Sequence, residues 1–271
     1  MKSTQAADVR AFGQADIPRL EDLQPEGWTD IVPAFGFYLR SGFCRPLKIV
    51  VGGELAAVST AIVFPGTGWL AHVIVREDFR GRGMGRRIAE AALAVLDSAG
   101  CRTVSLIATE SGRPVYLKAG FRDQVEYSVY EGSCIPISCS ADGVRPLTAA
   151  DVPGLERLDR TISGERRCQL LGTALAGAFV RVDSGRITGA YLPALGEGLV
   201  IASDADSGAA LLREKIVHDV KITSPAENWA ARDVLEGGGY RETRRIMRMV
   251  RGPEFIWKPA GLFGRVGGNF G

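Results

Sequence analysis

Residues 69–100 read W-L-A-H-V-I-V-R-E-D-F-R-G-R-G-M-G-R-R-I-A-E-A-A-L-A-V-L-D-S-A-G, and this stretch decides the fold. Its first seven residues form an apolar strand candidate. Gly81, Gly83 and Gly85 then alternate among Arg80, Arg82, Arg86 and Arg87. Ile88, Ala91, Ala92, Val95 and Leu96 recur at helical spacing, and Gly100 closes the run. A strand that turns through such a loop into a helix N-terminus is a device for holding phosphate. The first-turn N–H groups lack intrahelical partners and the helix dipole favours an anion there. Glycine lets the backbone come close to a ligand and take positive φ.

Working outward, residues 47–51 and 56–64 are β-rich runs joined by Gly52-Gly53, a hairpin signal. Residues 9–23 read as a short strand and a helix, with Asp16 as N-cap and Pro18 in the first turn. Trp28, Phe35, Phe37 and Tyr38 cluster in a stretch expected to form a second helix and loop. On the other side, residues 103–108 are a strand, Pro114 opens a short helix through Lys118, and Gly120 closes it. Residues 121–130 hold one or two further strands.

The chain then starts again. V-R-P-L-T-A-A-D-V-P-G-L-E-R-L at 144–158 repeats V-R-A-F-G-Q-A-D-I-P-R-L-E-D-L at 9–23. Gly185-Arg186-Ile187 takes the place of Gly53-Glu54-Leu55, and Gly239-Tyr240-Arg241 that of Gly120-Phe121-Arg122. This is an internal duplication. The second copy is shorter where the first carries R-G-R-G-M-G. Its residues 199–212 still read strand-to-helix, but with Asp204 and Asp206 where an anion site needs arginine. The expected organisation is residues 1–132, a linker at 133–143, and residues 144–271.

Bulk numbers narrow the function. The 271 residues suffice for two domains with their own cores. A net charge of +2 argues for neither nucleic acid nor membrane as partner. Five cysteines without a C-x-x-C pair argue against a disulfide framework and for a reducing, cytoplasmic setting. Two histidines, His72 and His218, leave no histidine-rich metal site, so the expectation is no metal.

The loop fails the other glycine patterns. A Walker A needs Gly-Lys-Ser/Thr, whereas Gly85 is followed by Arg86-Arg87, and a Rossmann fingerprint needs glycine at Arg86. What fits is R-x-x-G-x-G at 80–85 after a fourth strand, together with Y-x-x-x-G-F at 116–121. Both resemble motifs of the GNAT (Gcn5-related N-acetyltransferase) superfamily. The resemblance implies two α/β (α+β) domains with mixed, mostly antiparallel sheets flanked by helices, and acetyl-CoA or a related acyl-CoA as co-substrate. It implies that Val73, Ile74 and Val75 meet the pantetheine arm. It implies further that Arg80, Gly81, Arg82, Gly83, Met84, Gly85 and Arg86, with Thr109 and Tyr116, contact the rest of the cofactor. Tyr116 would protonate the leaving thiolate as general acid. The second half resembles the shortened GNAT-like domain of bacterial tandem proteins, through Leu158-Asp159-Arg160, Arg166-Arg167, Asn228 with Ala231, and Arg248-Met249.

In that family a fourth-strand Glu or His often serves as base, at the position this chain fills with Trp69. Alternation places Val73, Ala71 and Trp69 on one face and His72 on the other, where it reads as structural. Glu110 is the alternative base. Trp28, Tyr38 and Trp69 are expected to wall an acceptor pocket. Residues 252–271, rich in glycine and aromatics, are expected to pack across a domain or close part of a cleft. The expected activity is acetyl transfer to an amine of a small molecule or peptide, by a monomer or homodimer. The alternative is a non-catalytic acyl-CoA-binding or sensing module.

Overall fold

The computed structural model describes residues 8–133 and 143–271. The expected linker at 133–143 thus lies almost wholly outside the described residues, as do Cys134 and Cys139. The chain clusters into two compact units. The first takes residues up to Leu106, Ser111–Arg122 and Val250–Pro253; the second takes Ile107–Glu110, Asp123–Met249 and Glu254–Gly271.

In the first unit, β1 (Asp8–Ala11), β2 (Cys44–Val51), β3 (Glu54–Phe64) and β4 (Thr67–Val75) are antiparallel neighbours in chain order. β5 (Thr103–Ala108) begins in this unit and lies parallel to β4. The sheet carries α1 (Val32–Arg40), α2 (Met84–Ser98) and α3 (Arg113–Lys118). α2 buries Ile88, Ala92 and Leu96 as its periodicity predicts; Ala89 and Leu93 complete the stripe, while Ala91 and Val95 are half-buried. Gly100, at φ +78°, ends the helix: its N–H donates to Asp97 O and the Cys101 N–H to Leu96 O. That is the Schellman arrangement. Beneath α2, Ile88 and Phe79 pack on Ile49, Ala56 and Ala57.

The helix expected over residues 9–23 is a 3₁₀ segment, Gln14–Leu23. Asp16 does not cap it at N-cap; its carboxylate accepts the Gly13 N–H at 2.8 Å and the Lys48 ammonium at 2.6 Å. Pro18 removes the N–H that would close the first α-turn, which favours the tighter winding.

The second unit contains most of β6 (Arg122–Glu131), then β7 (Val144–Pro146), α4 (Val152–Ser163), α5 (Cys168–Leu171), β8 (Phe179–Asp183), β9 (Arg186–Leu192) and β10 (Leu199–Ala202). It continues with α6 (Ala205–Ile216), β11 (Lys221–Pro225), α7 (Trp229–Gly237), β12 (Arg241–Arg251) and β13 (Leu262–Gly264). β7, β8, β9 and β10 form a meander, with β13 added on the free edge of β10. β6 lies between β12 and β11.

The duplication is visible in detail. Asp151 accepts the Thr148 N–H at 2.8 Å and binds Arg145, as Asp16 does with Gly13 and Lys48. The β2–β3 turn takes positive φ at Gly52 and Gly53, and the β8–β9 turn at Ser184 and Gly185, the requirement of a type I′ hairpin. The compact units do not coincide with the repeats at 1–132 and 144–271. Most of β6 falls in the second unit and Val250–Pro253 in the first, where Thr103 Oγ1 donates to Pro253 O at 2.6 Å. A strand edge is satisfied by any strand that reaches it, whatever its order in the chain.

Candidate active site

The loop between β4 and α2 is held by its own arginines. Arg76 bonds Asp78 at 2.7 and 2.8 Å and Glu54 at 2.9 Å, and its guanidinium lies 4.7 Å from the centre of the Phe79 ring. Arg80 Nε reaches back to Val75 O at 3.3 Å, and Arg82 lies over Phe79 at 5.3 Å. Phe79, buried under these cations, anchors the loop to the core. Arg86 is tied to Glu90 one turn on, at 2.7 Å.

Gly81 and Gly83 adopt φ of +72° and +76°, and a side chain at either would meet open space. Glycine is required there by backbone conformation, since a left-handed L-residue costs about 1–2 kcal/mol. Gly83 is the N-cap of α2 and no side chain caps the helix. The first helical bond runs from Arg87 N to Gly83 O, so the N–H groups before it face outward from the first turn. Open space, free donors, a helix dipole and adjacent Arg80 and Arg82 together suit a phosphate group.

Beside this loop β4 separates from β5. The two pair only over Thr67–Thr103, Gly68–Val104 and Trp69–Ser105. Among the described residues, no strand pairs with the β5-facing edge of β4 from Leu70 to Val75. On its other edge β4 bulges: Val58 opposes Ile74 and Thr60 opposes Ala71, leaving His72 and Val73 across from Ser59. Ser59 Oγ donates to Ala71 O at 3.1 Å. The bulge breaks strict alternation, and His72 takes φ +47°, a conformation uncommon outside glycine.

His72 sits in an aromatic nest. Its Nδ1 is 2.7 Å from the Tyr38 hydroxyl, and its ring meets Phe35, Tyr38 and Trp28 edge-on at 5.8, 5.6 and 6.1 Å. Burial pushes its pKa down to about 4, so it is neutral at pH 7. Of the three rings expected to wall an acceptor pocket, only Trp28 is exposed, at 43%; Tyr38 and Trp69 stand at 1% and 0%. Trp69 thus presents no surface to an acceptor. It precedes the bulge, where β4 is still paired on both edges and covered. Trp28 opens instead onto a groove of about 530 Å³ lined with Ile17, Leu20, Glu21, Gln24 and Asp30.

Tyr116 lies on α3, buried, its ring edge-on to Phe121 at 6.0 Å. Desolvation raises its pKa to about 12, so its hydroxyl stays protonated. Thr109 and Glu110 are exposed and cluster with the second unit. What the sequence reading missed is the role of the bulge in bringing His72 against Tyr38 and Trp28. Bulges leave no residue-type signature, and the only hint was a histidine inside an otherwise apolar strand.

The matching place in the second unit is built differently. Asp204 is the N-cap of α6, its carboxylate accepting the Ser207 N–H at 2.8 Å and the Ser207 hydroxyl at 2.9 Å. A side-chain anion of the chain already occupies that helix end.

A mixed sheet and an antiparallel one, both flanked by helices, with an open edge of β4 beside an uncapped helix end, match an acyltransferase fold. Residues 15–121 match the Acetyltransferase (GNAT) family, and the fold of the whole chain is shared with solved structures. Among solved structures it is similar to a protein from Pyrococcus horikoshii provisionally assigned as an acetyltransferase, at TM-score 0.85 and 18% identity over 100% of this chain and 98% of that one. A tandem GNAT protein from the clavulanic acid biosynthesis pathway aligns at TM-score 0.60 and 12% identity, over 92% and 100%. A GCN5-related N-acetyltransferase from Sphaerobacter thermophilus aligns at 0.57 and 16%, over 93% and 97%. No curated protein matches the sequence.

Proposed function

We propose that the first unit binds acetyl-CoA, or a related acyl-CoA, and transfers the acyl group to an amine of a small molecule or peptide. The observation that carries this reading is the uncapped N-terminus of α2 standing beside the unpaired edge of β4. The diphosphate takes the free N–H groups of α2, with Arg80 and Arg82 alongside. The pantetheine amides pair with β4 along Val73, Ile74 and Val75, where β5 has turned away.

The amine lone pair attacks the thioester carbonyl. The new N–C bond forms, the C–S bond breaks, and sulfur leaves with the bonding pair. The proton lost by nitrogen ends on sulfur, giving amide and free thiol. Tyr116, protonated at neutral pH, supplies the donor to sulfur as charge develops there. His72 takes the proton from nitrogen in the tautomer that donates Nδ1–H to the Tyr38 oxygen, which leaves the Nε2 lone pair as acceptor. Trp28 and its groove offer the acceptor an aromatic wall adjoining His72.

Calorimetry with acetyl-CoA, followed by thiol release across an amine panel, tests the reading. Heat of binding that disappears in Gly83→Glu, with turnover on at least one amine, is expected. Absence of binding contradicts it. Binding without turnover on any amine would leave a donor-binding module.

A further inference from the structure

The second unit has the same parts in the same order, yet its cleft is filled by the chain itself. β13 pairs antiparallel with β10, Val200 opposite Gly264 and Ile201 opposite Leu262. On its other side the Arg265 N–H donates to Thr223 O in β11, at 3.1 Å. The segment therefore wedges between the counterparts of β4 and β5, along the edge that is open on β4. Phe263, fully buried, presses on the first turn of α6: a Cβ on Gly208 would lie 2.0 Å from its ring. Gly196 makes similar room, since a Cβ there would lie 2.0 Å from Val266 O.

Two buried polar side chains, Asn228 and Arg167, bond the backbone of this segment, and the segment's own Arg265 bonds outward. Asn228 caps α7 through Oδ1 and donates Nδ2 to Leu262 O at 2.9 Å. Arg167, 3% exposed and paired with the buried Asp159 at 2.8 Å, donates Nη1 to Phe270 O at 3.0 Å. Arg265 forms a two-toothed pair with Glu197 at 2.8 and 2.9 Å, and the Glu197 N–H donates to Val266 O at 2.6 Å. Lys215, 1% exposed, bonds the Glu197 carbonyl and Asp219. Asp159, Arg167 and Asn228 are among the residues that mark the second half in the sequence, and all three lie in the second unit.

We propose that Leu262–Phe270 is an internal ligand of the second unit, so that the second cleft is a site for an extended peptide anchored by phenylalanine and does not accept an acyl-CoA. Backbone pairing with β10 supplies affinity, and the Phe263 pocket on α6 supplies selectivity, the usual division of labour in strand addition. The proposal holds whatever the first unit binds.

The test places a specific protease site between Pro253 and Glu254 of the full chain. After cleavage the fragment carrying residues 254–271 is expected to co-elute with the remainder in gel filtration. A labelled synthetic peptide of residues 254–271 exchanges into the cleaved protein. An unlabelled copy with Phe263→Ala competes at least tenfold more weakly, and millimolar acetyl-CoA does not displace the label. In the uncut chain, Gly208→Val speeds amide exchange in residues 262–270 at least tenfold while the first unit's amides are unchanged. A fragment lost from a still-folded remainder, equal competition by the Phe263→Ala peptide, displacement by acetyl-CoA, or unaltered exchange in Gly208→Val would each overturn it. Gly83→Glu, which tests the first unit, leaves all of these readings unchanged.

Discussion

The N-termini of α2 and α6 begin from the same ancestral turn and end in opposite states. At α2 a left-handed glycine occupies the N-cap, no side chain caps the helix, and the donors face open space between arginines. At α6 Asp204 takes the cap, Ser207 is its partner, and Phe263 covers the turn that follows. A helix end capped by its own carboxylate has filled its site; one left bare keeps its donors for water or an outside anion. The strands repeat the lesson. β4 leaves an edge free after Trp69, while β10 has β13 along its edge. An unoccupied polar edge persists in a folded protein when function keeps it open.

The sharpest way to break this comparison is to give α2 what α6 has. Gly83→Glu adds a carboxylate at the bare helix end and is expected to weaken acetyl-CoA by about 100-fold or more, because like charge replaces a charge-assisted site. The chain stays folded, since strain of about 1–2 kcal/mol at positive φ is partly offset by the helix dipole. Calorimetry paired with a thermal melt separates the two effects. Next in size is Tyr116→Phe, expected to lower kcat about 100-fold while the KM for acetyl-CoA changes little, as for loss of a general acid. Steady-state kinetics on any turned-over amine reads it.

His72 supplies a pH test. Its folded-state pKa, near 4, lies below the ordinary 6.5, so between those values the unfolded chain binds more protons than the folded one. Stability on this account is full above pH 6.5 and falls as pH drops through 4, by about 3 kcal/mol in total. Urea midpoints across this range should show the loss in the wild type, and His72→Gln should remove most of it. The smallest expected effect is at α6. Asp204→Ala should cost about 1 kcal/mol of stability, the usual worth of an N-cap, and gain no acetyl-CoA binding because β13 still fills the cleft.

Much of this architecture was legible in the sequence because it rests on short-range rules. The loop from Arg80 to Gly85, the stripe of α2 and the closing Gly100 are local, and the structure has them where periodicity and glycine chemistry put them. The duplication was legible because Asp16 and Asp151, or Gly53 and Gly185, are paired repeats of the same turn chemistry. What escaped depends on long-range pairing. Nothing local says that β6 clusters with β11 and β12, or that the segment after Gly252 turns back to lie along β10. The segment was expected to pack across a domain or close a cleft, and closing a cleft is what β13 does in the second unit. The bulge at His72 escaped for another reason: alternation counted from Val75 holds only while one residue faces one. Trp69 is fully buried, which a count of faces does not reveal.

The central claim is that the chain has one working donor cleft and one filled by itself. It is tested most directly by the stoichiometry of acetyl-CoA binding to the full chain, measured by calorimetry on the wild type and on Gly83→Glu. One equivalent per chain for the wild type and none for the variant is the predicted result. Two equivalents, or one that survives Gly83→Glu, would contradict the account.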